Sequence, residues 1–318
     1  ISEKMKSSNI SNTVDLLSSD RLKSYKLYFN LKNNEECIGV YLWNDALSTA
    51  FFKLLSIFEV AFRNMVHKEL SYLYFSHKNQ GHIHDNDWYM YLMDQNILNL
   101  ETQKILKKMT HRKKKVNGIT TLVPKTQNIP TPGKVIANQT FGFWIKLIEL
   151  HPSIDWPEVF FKGFKDHFAV NKSYWDTNAI DDLIIRLRQV LSLRNRIAHH
   201  EPLWKFTEIL HEKSKVVIYE SATTPSESIS RMLTLNHRLC RLIGWISKDR
   251  RDDYLSSSYK RHFDWFCQES TIEIYKNYSY MRELPLSRAK REFRRLLKIS
   301  CLIEIKHQHG GIVISRGF

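Results

Sequence analysis

Apolar residues recur at intervals of three and four between Ile38 and about Tyr74, at Leu47, Phe51, Leu54, Leu55, Phe58, Phe62, Val66 and Leu70. That spacing places them on one buried face of a long helix. Glu59 and Arg63, four apart beside that face, have the favoured orientation for a helical ion pair. Upstream, Leu16, Leu17, Leu22 and Leu27 give a short helical pattern over 12–30, and Lys32 to Glu36 reads as a polar loop. Downstream come a His- and Asn-rich loop from His77 to Asp87 and a helix from about Trp88 to Lys108. Val116 to Pro132 contains Gly, Thr and three Pro, so it reads as an exposed connection, long enough to be functional or mobile. An apolar helix resumes over Gly133 to Leu150, with Phe141, Phe143 and Trp144 in the core and Gly142 allowing close packing. Asp176 or Thr177 caps a helix through Ala198 whose apolar face is Ile180, Leu183, Ile184, Leu187, Val190 and Leu191. Pro202 enforces its stop. Helices over about 226–247 and 256–267 follow, and from about Ser287 the tail is dominated by Arg and Lys. The pattern predicts an all-α chain, with a helical domain over 1–270 and a basic C-terminal extension over 271–318.

Composition narrows the class. Ten Gly and eight Pro are too few for a sandwich or barrel, which needs a turn roughly every 8–12 residues. Lys and Arg number 48 against 33 Asp and Glu, a formal charge of +15. Such an excess makes nucleic acid the expected partner, although a basic protein with no such role carries charge of the same kind. Cys37, Cys240, Cys267 and Cys301 are scattered, with no CxxC pair; a reducing cytoplasm fits, and a zinc site or disulfide framework does not. Lys53, Ser56 and Glu59 interrupt the longest apolar run, so no membrane span is expected. The chain has no P-loop or dinucleotide fingerprint, and no cofactor is expected.

The densest chemistry is Arg194-Asn195-Arg196-Ile197-Ala198-His199-His200, at the end of the helix that stops before Pro202. An imidazole can take the proton from an RNA 2′-hydroxyl, and another can return one to the leaving 5′-oxygen. A guanidinium can hold the charge that builds on the phosphorane between them. That reaction needs no metal. On a helix, His199 and His200 would point about 100° apart, too far to serve one scissile bond together. Two motifs meeting across a two-fold axis would supply both groups, which predicts a homodimer. The plain alternative is a helix end whose Arg and His cap carbonyls and whose Asn195 bonds the backbone.

Four stretches extend this pattern: Trp43-Asn44-Asp45-Ala46-Leu47 running into Phe58-Glu59-Val60-Ala61-Phe62-Arg63-Asn64; Trp88-Tyr89; Phe141-Gly142-Phe143-Trp144; and Leu193 to Pro202. Together, over about 40–204, they resemble the Abi-like family of bacterial abortive-infection proteins, members of the HEPN superfamily. The resemblance implies a HEPN-type helical bundle with additional helices, and an Arg–polar–His signature. Arg194, Asn195 and His199 fit with four residues between Arg and His, and His200 fits with five. It also implies a phage-defence endoribonuclease leaving a 2′,3′-cyclic phosphate and a 5′-hydroxyl, with a composite site shared across a dimer. Some members resemble relatives of RNA-guided CRISPR effectors, and some work with a small non-coding RNA. In this reading His199 is the general acid/base, Arg194 the phosphorane stabiliser and Asn195 an orienting residue, with His200 in reserve. The other readings are a non-catalytic RNA-binding protein and a toxin silenced by a protein antitoxin.

Three further groups are candidates. Arg63-Asn64-Met65-Val66-His67 echoes the main motif as a second half-site, but only three residues separate Arg63 from His67, and Glu59 offers Arg63 a structural partner; the structural reading is favoured. Arg112, Lys113, Lys114 and Lys115 follow His111 in a run too charged to bury, either a phosphate-binding segment or a solvated helix end. Arg288, Arg291 and Arg295 share a helical face, a basic stripe able to follow an RNA backbone. His77, His82 and His84 with Asp85 and Asp87 match no zinc-class spacing, so a solvated loop is favoured over a metal site.

Overall fold

The computed structural model describes residues 9–116, 119–210, 217–277, 282–296, 303–307 and 310–314. The chain begins with α1 (Ile10–Leu17), α2 (Ser19–Tyr28) and the forty-residue α3 (Asn34–Leu73). Asn33 accepts a hydrogen bond from the Glu36 amide (2.9 Å) and Glu36 accepts one from the Lys32 amide (2.7 Å). These reciprocal caps draw residues expected in a loop into the first turn of α3. A two-residue-strand hairpin, β1 (Gly81–His82) and β2 (Asp85–Asn86), occupies the loop expected over 77–87.

The helix expected over 88–108 is two helices, α4 (Trp88–Asp94) and α5 (Leu100–Thr110). Asn96 adopts φ +55° between them, and Asn99 caps α5 by accepting from the Thr102 amide (2.9 Å). The exposed connection after it is instead a hairpin, β3 (His111–Val116) against β4 (Ile119–Pro124). The helix expected over 133–150 divides into α6 (Pro132–Ala137) and α7 (Phe141–Leu150). Next come α8 (Trp156–Gly163) and α9 (Thr177–Ala198), whose start is set by Asp176 accepting from the Ala179 amide (2.9 Å). A short β5 (Ile209–Leu210) pairs with β6 (Val217–Tyr219). Then follow α10 (Pro225–Ile246), α11 (Lys248–Leu255), α12 (Ser258–Phe266) and α13 (Glu269–Lys276). The tail is structured where described: β7 (Arg282–Pro285), α14 (Leu286–Leu296), β8 (Ile303–His307) parallel to β7, and β9 (Gly310–Ile314) antiparallel to β8. The fold is all-α, its described sheets small. No described helix is long and apolar enough to cross a membrane.

The chain divides into two compact units whose boundaries fall inside α3, α9, α10 and α11. The first comprises 1–54, 196–238 and 253–318. Its core gathers Tyr25, Phe29, Trp43 and Trp204, with Trp204 in edge contact with both Tyr25 and Phe29 (5.1 Å). Trp43 donates its indole N–H to the Phe266 carbonyl (2.9 Å). The second comprises 55–195 and 239–252. Phe58 and Phe62 of α3 meet Phe141 of α7, and Phe62 also meets Phe164. Phe143 and Trp144 are buried, as their pattern predicts. The tight glycine is not Gly142, where a Cβ would sit an ordinary 3.6 Å from Leu191. Close packing is found instead at Gly163, where a Cβ would fall 2.1 Å from the Met65 sulfur.

Candidate functional site

The last turn of α9 closes in a Schellman arrangement: the His200 amide donates to the Ile197 carbonyl (3.1 Å) and the Glu201 amide to the Arg196 carbonyl (2.8 Å). His200 carries the left-handed step, φ +54°, at a position where glycine would avoid a cost of about 1 kcal/mol. His199 is therefore the cap and His200 lies beyond the helix. The 100° helical projection of the two rings does not apply to this backbone. Both side chains are exposed, and among the described residues neither ring makes a hydrogen bond.

Arg196 is committed to the turn that follows. Its guanidinium donates to the Pro202 carbonyl (2.9 Å) and to the Lys205 carbonyl, and lies over the Phe206 ring (5.7 Å). Burial pushes its pKa down, opposed by Glu201. Buried Asn44 accepts from the Leu203 amide (2.8 Å), and Ser228 donates to the Trp204 carbonyl (2.6 Å). Tyr28 stacks on the Trp204 indole (4.4 Å, 25°). The residues after Pro202 are thus fixed by Asn44 and an aromatic cluster, while before it Arg21 donates to the His200 carbonyl (3.3 Å). Asp45, next to Asn44, has its carboxyl pushed up by burial and drawn back down by His200 and Arg21.

In the other unit, Arg194 pairs with Glu59 of α3 (3.6 Å) and donates to the Asn195 side-chain oxygen (3.4 Å). Glu59, expected to pair with Arg63, has Arg194 as its ion-pair partner. Burial raises the Glu59 pKa, with Arg194 and then Arg63 opposing. Arg63 donates to the Asn64 side chain (3.3 Å) and to the Ala137 carbonyl (3.5 Å).

His67 is buried, 7% exposed. Its Nδ1 accepts the Trp88 indole N–H (2.9 Å), which places the ring proton on Nε2, facing Asp85 at 2.9 Å. Burial lowers its pKa, opposed by the Asp85 contact. Both ring nitrogens are occupied, so this echo of the motif has no imidazole nitrogen open to a ligand. Its partners Asp85 and Trp88 lay in expected elements, but nothing in their spacing marked them as a set.

The two basic groups stand on different scaffolds. Arg112, Lys113, Lys114 and Lys115 lie on β3, all exposed, opposite Val123, Leu122, Thr121 and Thr120. The helix end expected there stops at Thr110, whose carbonyl accepts from Lys125 (3.0 Å) at the hairpin base. Asn-Gly at 117–118, the strongest short hairpin signal, accounts for the hairpin. Arg288, Arg291 and Arg295 are exposed on α14 at helical spacing, with Arg288 paired to Glu292 (2.9 Å).

The His-rich loop is held by other bonds. His77 stacks on Tyr91 (4.1 Å), Asp85 holds His67, and Asp87 accepts from the Asn79 and Gln80 amides (2.9 Å each). Among the described residues no group of three or more His, Cys, Asp or Glu could hold a metal.

No curated protein and no solved structure matches the chain. A protein-family match covers residues 14–205, more than half of the sequence and all four stretches with the motif. The chain belongs to the Abi-like protein family.

Proposed function

We propose that this Abi-like protein is a bacterial phage-defence endoribonuclease of the HEPN type, cutting RNA without a metal and leaving a 2′,3′-cyclic phosphate and a 5′-hydroxyl. The observation that carries the reading is the contrast within the motif. Arg196 is consumed by the Pro202 and Lys205 carbonyls, whereas His199 and His200 are exposed with unengaged rings. His199 serves as general acid/base, His200 stands in reserve, Arg194 stabilises the phosphorane and Asn195 orients Arg194. One acid/base does half of a transesterification, so a homodimer pairs two motifs. The cationic run Arg112–Lys115 and the Arg288, Arg291 and Arg295 stripe hold the RNA, either a substrate or a dedicated small non-coding RNA. The protein works in the cytoplasm. The exposed cations of β3 favour a second reading, RNA binding without cleavage, because they contact phosphate whatever the histidines do.

The test is purification of the native protein and its Arg194→Ala/His199→Ala variant, with sequencing of the nucleic acid each carries. Fragments ending in cyclic phosphate only with the native protein are expected. A discrete RNA on both proteins with no fragments favours the second reading, and a second polypeptide with no RNA overturns both in favour of a protein antitoxin.

A further inference from the structure

The second unit contains a cleft of about 480 Å³ between α5 and the turn that joins α6 to α7. Its size is within the range of ligand sites. Ile105 and Met109 of α5 and Phe143 of α7 supply apolar lining, a surface suited to a flat, polarisable ring. The polar edge comes from Asn138, Gln139 and Thr140. Among the described residues the Asn138 amide makes no side-chain hydrogen bond, leaving both a donor and an acceptor for the edge of a base. Gln139 donates to Val135 (2.8 Å) and keeps its carbonyl oxygen available.

Two cations complete the cleft. Lys108 is exposed and has no ion pair among the described residues. Lys146 gives one of its three donors to Glu101 (2.6 Å), and that pair is open to solvent on both sides. Thr140 opens α7 without a side-chain cap, and the first turn holds no acidic residue. The Phe141 and Gly142 amides that open the helix add positive potential there. Three residues after Lys108, α5 has passed into β3, which carries Arg112, Lys113, Lys114 and Lys115. The cleft is therefore the apolar end of a line of cations. Side chains on the same face of that strand stand about 6.6 Å apart, the scale of successive phosphates in an extended polynucleotide.

We propose that this cleft binds one nucleotide of a single-stranded RNA, its base against Ile105, Met109 and Phe143 and its phosphate beside Lys108 and Lys146, with the rest of the strand running along β3. The proposal deepens the proposed function and rests on its choice of RNA as ligand. It assigns a place where the RNA is gripped.

The test uses the full chain, a short labelled single-stranded RNA and, separately, adenosine and uridine 5′-monophosphates. Lys108→Glu/Asn138→Ala alters only exposed side chains, and Lys23→Glu is the control for a changed charge at another exposed lysine. The double variant is expected to weaken RNA binding about tenfold or more while the control changes it about twofold or less. RNA carrying 4-thiouridine is expected to cross-link to peptides containing Met109 or Phe143. RNA bound equally by the double variant and the control, with cross-links elsewhere, overturns the cleft and leaves the proposed function standing. Mononucleotide binding lost in the double variant, with no RNA binding by any form, overturns RNA as the source and the proposed function with it. Binding of neither probe overturns the site.

Discussion

His67 and His199 each follow an Arg-Asn pair within a few residues on a helix, yet they meet opposite surroundings. His67 is buried between the Trp88 indole and the Asp85 carboxylate, with both nitrogens used. His199 caps α9 in solvent with its ring unengaged. The Arg–polar–His pattern alone does not make a site; what distinguishes the two is whether the imidazole remains free to exchange a proton. The arginines divide similarly. Arg196 holds the turn around Pro202, whereas Arg194, the arginine of the proposed reaction, is paired with Glu59.

The contrast is broken most severely at His67. His67→Ala leaves the Trp88 N–H without an acceptor and opens a buried space, and is expected to cost about 4 kcal/mol of unfolding free energy. Urea denaturation checks it, and a loss near zero would make His67 a free functional group after all.

Acid sharpens the same distinction between buried and exposed rings. His167, 9% exposed, accepts from the Ala169 amide through Nδ1 (3.1 Å) and packs edge-on against Trp245 (4.5 Å, 86°). Burial, with help from Arg186 and Arg241, pushes its pKa down to about 4. Between the unfolded value near 6.5 and about 4, the unfolded chain takes up a proton that the folded chain refuses. Stability therefore falls as pH drops through that window, by about 3 kcal/mol in all, and is unaffected by this group above it. Burial biases His67 in the same direction. Thermal unfolding of native protein and of His167→Phe from pH 7 to pH 4 reads the effect; equal acid sensitivity in the two would remove His167 as its source.

Local pattern carried much of the fold. The α9 span and its Asp176 cap follow from apolar spacing and a single carboxylate, and the buried Phe141, Phe143 and Trp144 from theirs. The observed elements depart from the apolar pattern where short polar signals override periodicity. Asn96 and Asn99 cut one apparent helix into two, and Asn-Gly at 117–118 lies between strands that read as a connection. The surroundings of the motif were not legible, because they depend on distant pairings. Asn44 reaches Leu203 across 159 positions, and His67 finds Asp85 and Trp88 across 18 and 21. No helical or strand period encodes such distances. The left-handed step at His200 was equally hidden, since histidine is not the residue that usually signals it.

In the proposed reaction the exposed His199, and not its buried counterpart, performs proton transfer on RNA. The most direct measurement is the rate of appearance of cyclic-phosphate ends on RNA incubated with native protein and with His199→Ala, alongside the unfolding free energy of each. His199→Ala is expected to lower the rate by about 10²–10⁴ with stability changed by less than about 0.5 kcal/mol. An unchanged rate from a fully folded His199→Ala protein would contradict it.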